Sequence, residues 1–235
     1  MSIRLRSTQS HYCSGSLVYK RFILTTAHCF NSFTGNPRDD LYVITGKTSL
    51  EELADPFKDA HLVSDLIIHP EYNKNTVQHD IAFIRLAADV ELNARVKLIC
   101  LPESSKQTDI VFGKYIMGVG WGRTTPGPND PSQNSNVLKQ TTLRVLNGVE
   151  NEKRCETHPF YDEKLMYCVI GVRGGANFCW GDSGGPMSVK LNERWTVFGN
   201  TNTLAVKDDG SCDPLMPAYY TKLPLYLDWM TTFIK

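Results

Sequence analysis

Gly181-Asp182-Ser183-Gly184-Gly185-Pro186 is a serine flanked by glycines, lying between Cys179 and Cys212 and just after Trp180. Glycines on both sides let the backbone turn sharply, bring two consecutive amide N–H groups onto one point and leave room beside the hydroxyl for another molecule's main chain. Such a serine is suited to acyl transfer. Its hydroxyl is a poor nucleophile at neutral pH, so that chemistry requires a histidine to take its proton and a carboxylate to orient the histidine. Both occur upstream. His28 lies in Leu24-Thr25-Thr26-Ala27-His28-Cys29, and Asp80 opens the apolar run Asp80-Ile81-Ala82-Phe83-Ile84-Arg85-Leu86, where a lone carboxylate is unexpected.

In order and in wording, the segments TTAHC, DIAFI and GDSGGP resemble the three signature segments of the trypsin-like, chymotrypsin-fold serine proteases. The resemblance implies Ser183 as nucleophile, His28 as general base and then acid, and Asp80 as orienting carboxylate. It also implies the backbone N–H groups of Gly181 and Ser183 as oxyanion donors. These residues are 52 and 103 positions apart in the chain, so His28 and Asp80 belong to its first half and Ser183 to its second. The implied fold is all-β: two six-stranded Greek-key β-barrels packed together with a C-terminal α-helix. Residues 1–103 are expected to form the first barrel and 104–235 the second, together one peptidase domain. Taken singly, each site residue has an ordinary reading as a turn, cap or core residue. Their joint occurrence, in order, is what carries the resemblance.

Composition agrees with such an enzyme. With 235 residues and 41% hydrophobic content, the chain can bury a substantial core. Twenty-five basic residues balance twenty-five acidic ones, which leaves no electrostatic footprint for nucleic acid or an anionic membrane. No apolar run approaches the roughly 18 residues needed to span a bilayer. The expected partners are a protein or peptide substrate and protease inhibitors. No cofactor and no metal is expected. Glu51, Glu52, Asp55 and Asp59 form an acidic stretch, yet they make no recognisable calcium loop, and Lys47 stands where relatives begin that loop with a carboxylate. The stretch reads as a solvated face.

Seven cysteines match no metal-site spacing. The resemblance implies three disulfides, Cys13–Cys29, Cys155–Cys168 and Cys179–Cys212, and with them secretion into an oxidising compartment. The seventh, Cys100, falls where many relatives tether an activation segment upstream of the catalytic domain. It reads either as a disulfide partner for such a segment or another chain, or as a buried thiol behaving as a small hydrophobe. The chain carries no signal peptide, and Met1-Ser2-Ile3-Arg4-Leu5-Arg6 already reads as the first strand, so an N-terminal piece is expected to be missing. In relatives a freed N-terminal ammonium pairs with the aspartate before the nucleophile, here Asp182. Without that cation the chain is expected to be latent, whereas its complete parent is a protease after cleavage.

Further strands are read at 13–18 and 21–25, joined as a hairpin leading to His28, then at 41–46, 61–68 and 81–86. In the second half they fall at 115–122, 137–145, 194–199 and 218–222, and the apolar spacing of 226–234 predicts the closing helix. Pro126 to Asn136 is a loop. At the specificity pocket the chain departs from the family pattern. Asn177 stands at the pocket floor, so no carboxylate is present to pair with a substrate Arg or Lys. Phe178, Leu204 and Ala218 are expected to narrow the pocket, and Asn202-Thr203 replace the usual Ser-Trp. The expected function is a secreted serine endopeptidase that is not specific for Arg or Lys. The competing class is a non-catalytic or latent homologue that binds or regulates other proteins.

Overall fold

The structure is a computed structural model and describes residues 1–51, 59–124, 127, 133–147, 154–172 and 177–234. Its strands fall into two groups. The first contains β1 (Ser2–Leu5), β2 (His11–Ser14), β3 (Ser16–Tyr19), β4 (Phe22–Thr25), β5 (Leu41–Ile44), β6 (Ala60–Ile68) and β7 (Ala82–Leu86), in the spatial order β2-β1-β5-β6-β7-β4-β3. The two ends of that order, β2 and β3, are consecutive in the chain and separated only by Gly15. A Cβ on Gly15 would lie 2.5 Å from Ile23 Cγ2, so only glycine lets the chain turn this corner against β4. The seven short strands are therefore the six expected, with one bent in two.

The second group is a closed barrel of β8 (Tyr115–Gly120), β9 (Lys139–Val145), β10 (Met166–Gly171), β11 (Pro186–Leu191), β12 (Arg194–Leu204) and β13 (Ala218–Lys222), ordered β10-β13-β12-β11-β8-β9. The all-β, two-barrel architecture expected from the resemblance is the one observed. Two of these strands, β10 and β11, were not read from the sequence. β11 runs straight out of the glycine-rich serine loop, and β10 lies within the Cys155–Cys168 bridge region, so neither stands out as an isolated alternating segment.

Packing explains why alternation is weak in several strands. All four residues of β4 are buried, and they divide between two cores. Ile23 joins the interior of the first barrel with Leu17, Leu41, Val43 and Ile84. Phe22 and Leu24 face the other way, onto Val197, Leu223, Tyr226 and Met230. In β7, Ala82, Ile84 and Leu86 point inward while Phe83 points to that second cluster. Strands covered on both faces over most of their length are apolar nearly throughout, the exposed Arg85 of β7 excepted, and their period of two disappears.

The cluster between the barrels is capped by the C-terminal segment. The helix expected over 226–234 is shorter, a 3₁₀ turn at Leu223–Tyr226 followed by an α-helix at Leu227–Thr231. Trp229 stacks on Phe83 at 5.2 Å and 10°, and Met230 is fully buried, which is worth about 2 kcal/mol of apolar transfer. No helix among the described residues is long and apolar enough to cross a membrane.

The acidic stretch is only partly described, since Glu52 and Asp55 lie outside the described residues. At its edges, Lys47 Nζ pairs with Asp59 at 2.9 Å, and Glu51 accepts a hydrogen bond from Asn136. The loop at 126–136 is likewise only partly described, at 127 and 133–136.

Candidate active site

His28 is delivered by the end of β4. The chain leaves the sheet at Thr25, and His28 begins a single 3₁₀ turn, His28–Phe30, anchored by buried Ala27 and Phe30. The Cys13–Cys29 disulfide ties the same turn to β2. Asp80 sits just before β7 and is fully buried. Its Oδ1 accepts from the His28 backbone N–H at 2.8 Å, and its Oδ2 lies 2.6 Å from His28 Nδ1. A carboxylate facing an imidazole nitrogen at this distance accepts, so Nδ1 carries the proton. Nε2 of the neutral ring is then an acceptor. It faces Ser183 Oγ at 2.8 Å, and the hydroxyl donates to it.

The second barrel holds this relay from behind. Thr221 Oγ1, on β13, donates to the Asp80 carbonyl at 2.9 Å and accepts from Asn202 Nδ2 at 3.1 Å. Asn202 also donates to the Val77 carbonyl at 3.1 Å. Thr221 could not be read as a site residue, because only folding brings it to a carboxylate 141 residues earlier. Burial, the largest influence on His28, favours its neutral form. The Asp80 charge and hydrogen bond together outweigh that and raise its pKa above the ordinary histidine value.

Ser183 stands on the loop entering β11. Its carbonyl accepts from Ser14 N–H at 2.8 Å, and the Gly184 N–H donates to the Thr201 carbonyl at 3.1 Å, so both barrels grip the loop. Gly184 has φ +78°, and a Cβ there would lie 2.2 Å from Thr25 Oγ1 and 2.4 Å from the Ser14 carbonyl oxygen. No other residue fits that contact. The backbone N–H groups of Gly181 and Ser183 make no hydrogen bond among the described residues.

The Gly181 carbonyl is turned away and fixed by His11, a residue the sequence reading passed over. His11 Nε2 donates to it at 2.8 Å, and His11 Nδ1 accepts from Ser2 Oγ at 2.9 Å. Burial lowers the His11 pKa to about 4, so this bridge is a neutral imidazole. Its nearness to Cys13 in sequence was the one available signal.

Asp182 points back into the second barrel. Oδ1 accepts from the Gly122 N–H at 2.7 Å and Oδ2 from the Cys179 N–H at 3.0 Å. A Cβ on Gly120 or Gly122 would fall within 2.1 Å of its oxygens, so the carboxylate occupies the space those two glycines leave. No ion pair reaches it among the described residues. Burial pushes its pKa up to about 6, against the opposing pull of the two N–H bonds.

The Cys179–Cys212 bridge holds the serine loop to the segment that follows β12. Within that frame Asn177 donates to the Met216 carbonyl at 3.0 Å and accepts from Phe178 N–H at 2.9 Å. Phe178 is buried in the second barrel's core, edge-on to Tyr220 with centroids 4.6 Å apart. Ala218 is fully buried in that core, and Leu204 packs half-buried against it. Thr203 Oγ1 lies 3.3 Å from His158 Nε2. On the other side of Ser183 a cavity of about 190 Å³ opens between Tyr12, Cys29, Asn134 and Trp180. Cys155–Cys168 is the third disulfide, and Cys100 is a half-buried free thiol beside a cavity of about 460 Å³.

A hydroxyl donating to an imidazole, whose other nitrogen is held by a buried carboxylate, is an arrangement that can deprotonate an alcohol as it attacks a carbonyl. Such chemistry recurs on unrelated folds, so the arrangement alone does not name an ancestry. The family model described as Trypsin matches residues 1–230. Spanning both barrels and every residue of the relay, that match places the chain in the family of trypsin-like S1 serine proteases.

Proposed function

We propose that this protein is a secreted serine endopeptidase that cleaves peptide bonds through an acyl-enzyme. The observation that carries the reading is the continuous relay from Ser183 Oγ through His28 to Asp80, at 2.8 and 2.6 Å. Ser183 Oγ attacks the scissile carbonyl while His28 Nε2 takes its proton, and Asp80 stabilises the imidazolium that forms. The Gly181 and Ser183 N–H groups receive the oxyanion. His28 then gives the proton to the departing amine, which leaves an ester on Ser183. In the second half-reaction a water, deprotonated by His28, releases the acid product and restores the hydroxyl.

Two further features complete the proposal. Activity depends on a cation reaching Asp182, for which the cavity of about 160 Å³ beside it has room; in relatives that cation is an N-terminal ammonium freed by proteolysis. Substrate choice is neutral, because Asn177 offers an amide that is already hydrogen-bonded and no charge. Three disulfides suit an oxidising, extracellular setting, and Cys100 is available for a bridge to a pro-segment or another chain.

Labelling by a fluorophosphonate probe, before and after treatment with an activating protease, tests the nucleophile. Label on wild-type protein and none on Ser183→Ala is the expected result, with hydrolysis of a peptide library avoiding Arg and Lys at the cleavage site. A folded protein that never takes the label, treated or not, would overturn the reading.

A further inference from the structure

A second cluster of chemistry-bearing side chains lies apart from the Ser183 hydroxyl and takes no part in the relay. β6 ends at Ile68, and the turn after it carries His69 and Glu71; the chain returns through His79 immediately before Asp80. The two arms are laced together. The His69 N–H donates to the Ile81 carbonyl at 3.1 Å, and the Ile81 N–H to the His79 carbonyl at 2.9 Å. The two imidazoles stack with centroids 5.6 Å apart and planes 12° apart. Glu71 Oε2 stands 3.8 Å from His79 Nδ1. One donor atom from each of the three residues lies within 4.8 Å of the other two.

We propose that His69, Glu71 and His79 form a binding site for one transition-metal ion of borderline softness, zinc being the best fit. Two imidazoles, one carboxylate and an open fourth position for water are a donor set that zinc takes in tetrahedral geometry. Calcium and magnesium require six or more oxygens and are excluded by the same set. Bonds of about 2.0 Å place tetrahedral donors about 3.3 Å apart, so the cluster closes by up to about 1.5 Å. The atoms that move are available. The Glu71 side chain is 69% exposed and free to swing, whereas His69 is buried edge-on to Tyr226 and Trp229 at 5.2 and 5.1 Å. His69 is thus the fixed ligand, its Nδ1 already accepting from the Glu71 N–H at 3.2 Å, so that the ion takes Nε2 or displaces that bond. Glu71 swings in, and the His79 ring turns out of its 12° stack to bring its lone pair onto the same ion. The Tyr226 hydroxyl, 3.2 Å from His79 Nδ1, is displaced from that atom or retained as an outer partner, according to which ring nitrogen binds.

Such an ion would staple the turn after β6 to the segment that delivers Asp80, and it would bind the folded chain only. If the cluster is instead ordinary packing, the stacked rings and the Glu71 contact form without any affinity for metal. The two cases separate by titration of chelator-stripped, disulfide-intact protein with zinc chloride, followed by calorimetry and thermal melting. The expected result is one saturable zinc per chain, no uptake of calcium or magnesium, and a rise in Tm of about 5–10 °C at a hundredfold excess over Kd.

His79 has φ +52°, so His79→Asn removes the ligand with a residue that tolerates that backbone. It is expected to weaken zinc binding about 100-fold, and Glu71→Gln about 10-fold. His28→Gln is expected to keep full affinity, which separates this site from metal capture at the catalytic imidazole. Absence of saturable zinc uptake by the folded wild type, unchanged uptake in His79→Asn, or loss of uptake in His28→Gln would each overturn the proposal.

Discussion

Asp80, fully buried, and Asp182, partly buried, are two carboxylates around one serine, and the chain treats them in opposite ways. Asp80 receives a backbone N–H and the Nδ1–H of an imidazole that becomes a cation when it takes a proton. Asp182 receives two backbone N–H groups and no cation among the described residues. Amide dipoles satisfy oxygen lone pairs and can never cancel a charge, so Asp80 has a neighbour that can become its counter-ion and Asp182 has none among the described residues. The difference divides labour. On the proposed mechanism the first barrel holds a finished base, while the second presents its nucleophile on a loop whose state depends on what Asp182 meets.

The largest effect is expected from substitution of Asp80. Asp80→Asn is expected to keep the packing but present the wrong hydrogen-bonding partner to Nδ1. In the triad template of this same family that change costs about 10⁴-fold in kcat, and a similar loss is expected here with Tm nearly unchanged. Wild-type turnover in Asp80→Asn would show that the finished base is not in use.

Next in size is the tether of the serine loop. The Cys179–Cys212 bridge spans 33 residues, for which the chain-entropy model gives about 4 kcal/mol, against about 3 kcal/mol for the 16-residue Cys13–Cys29 span. A paired Cys179→Ala, Cys212→Ala variant should lose about 10 °C in Tm under non-reducing conditions and lose fluorophosphonate labelling with it. Equal labelling with and without this bridge would mean that the loop is organised by the barrels alone.

The smallest effect sharpens the contrast at Asp182. Its folded pKa of about 6 lies above the unfolded value, so the folded state binds the extra proton. Stability from this group is present in full below about pH 4 and lost as pH rises through about 6, by about 3 kcal/mol in all. Urea midpoints from pH 4 to 7 should fall in the wild type relative to Asp182→Asn, the subtraction cancelling His11, whose lowered pKa acts in the opposite direction over that window. The difference between the two proteins isolates Asp182 from His28, whose raised pKa acts in the same direction at higher pH. A cation bound at Asp182 reverses the slope, so the same measurement reports whether the carboxylate has found its partner.

Legibility in the sequence followed locality. The two-barrel class and the end at which the helix closes could be read, because signature segments and alternating strands such as β9 are local patterns. β4 and β7 were readable as apolar runs but not as strands shared between two cores, since that requires knowing what covers each face. Thr221 and His11 escaped notice for a related reason. A threonine in a buried strand and a histidine before a cysteine carry no chemistry until Asp80 and Gly181 are folded against them.

Residue type and order by themselves determined that a serine with glycines about it, a histidine and an aspartate belong to one family-wide pattern, because those segments are short and self-contained. Tertiary structure decided the rest. It brought Ser183 to His28 across 155 residues. It also placed Phe178 and Ala218 in a barrel core. Finally, it gave the buried Asp80 an imidazole and the partly buried Asp182 only amide dipoles. Distances, burial and the identity of a charge's neighbours are properties of packing, and packing couples residues that are remote in sequence.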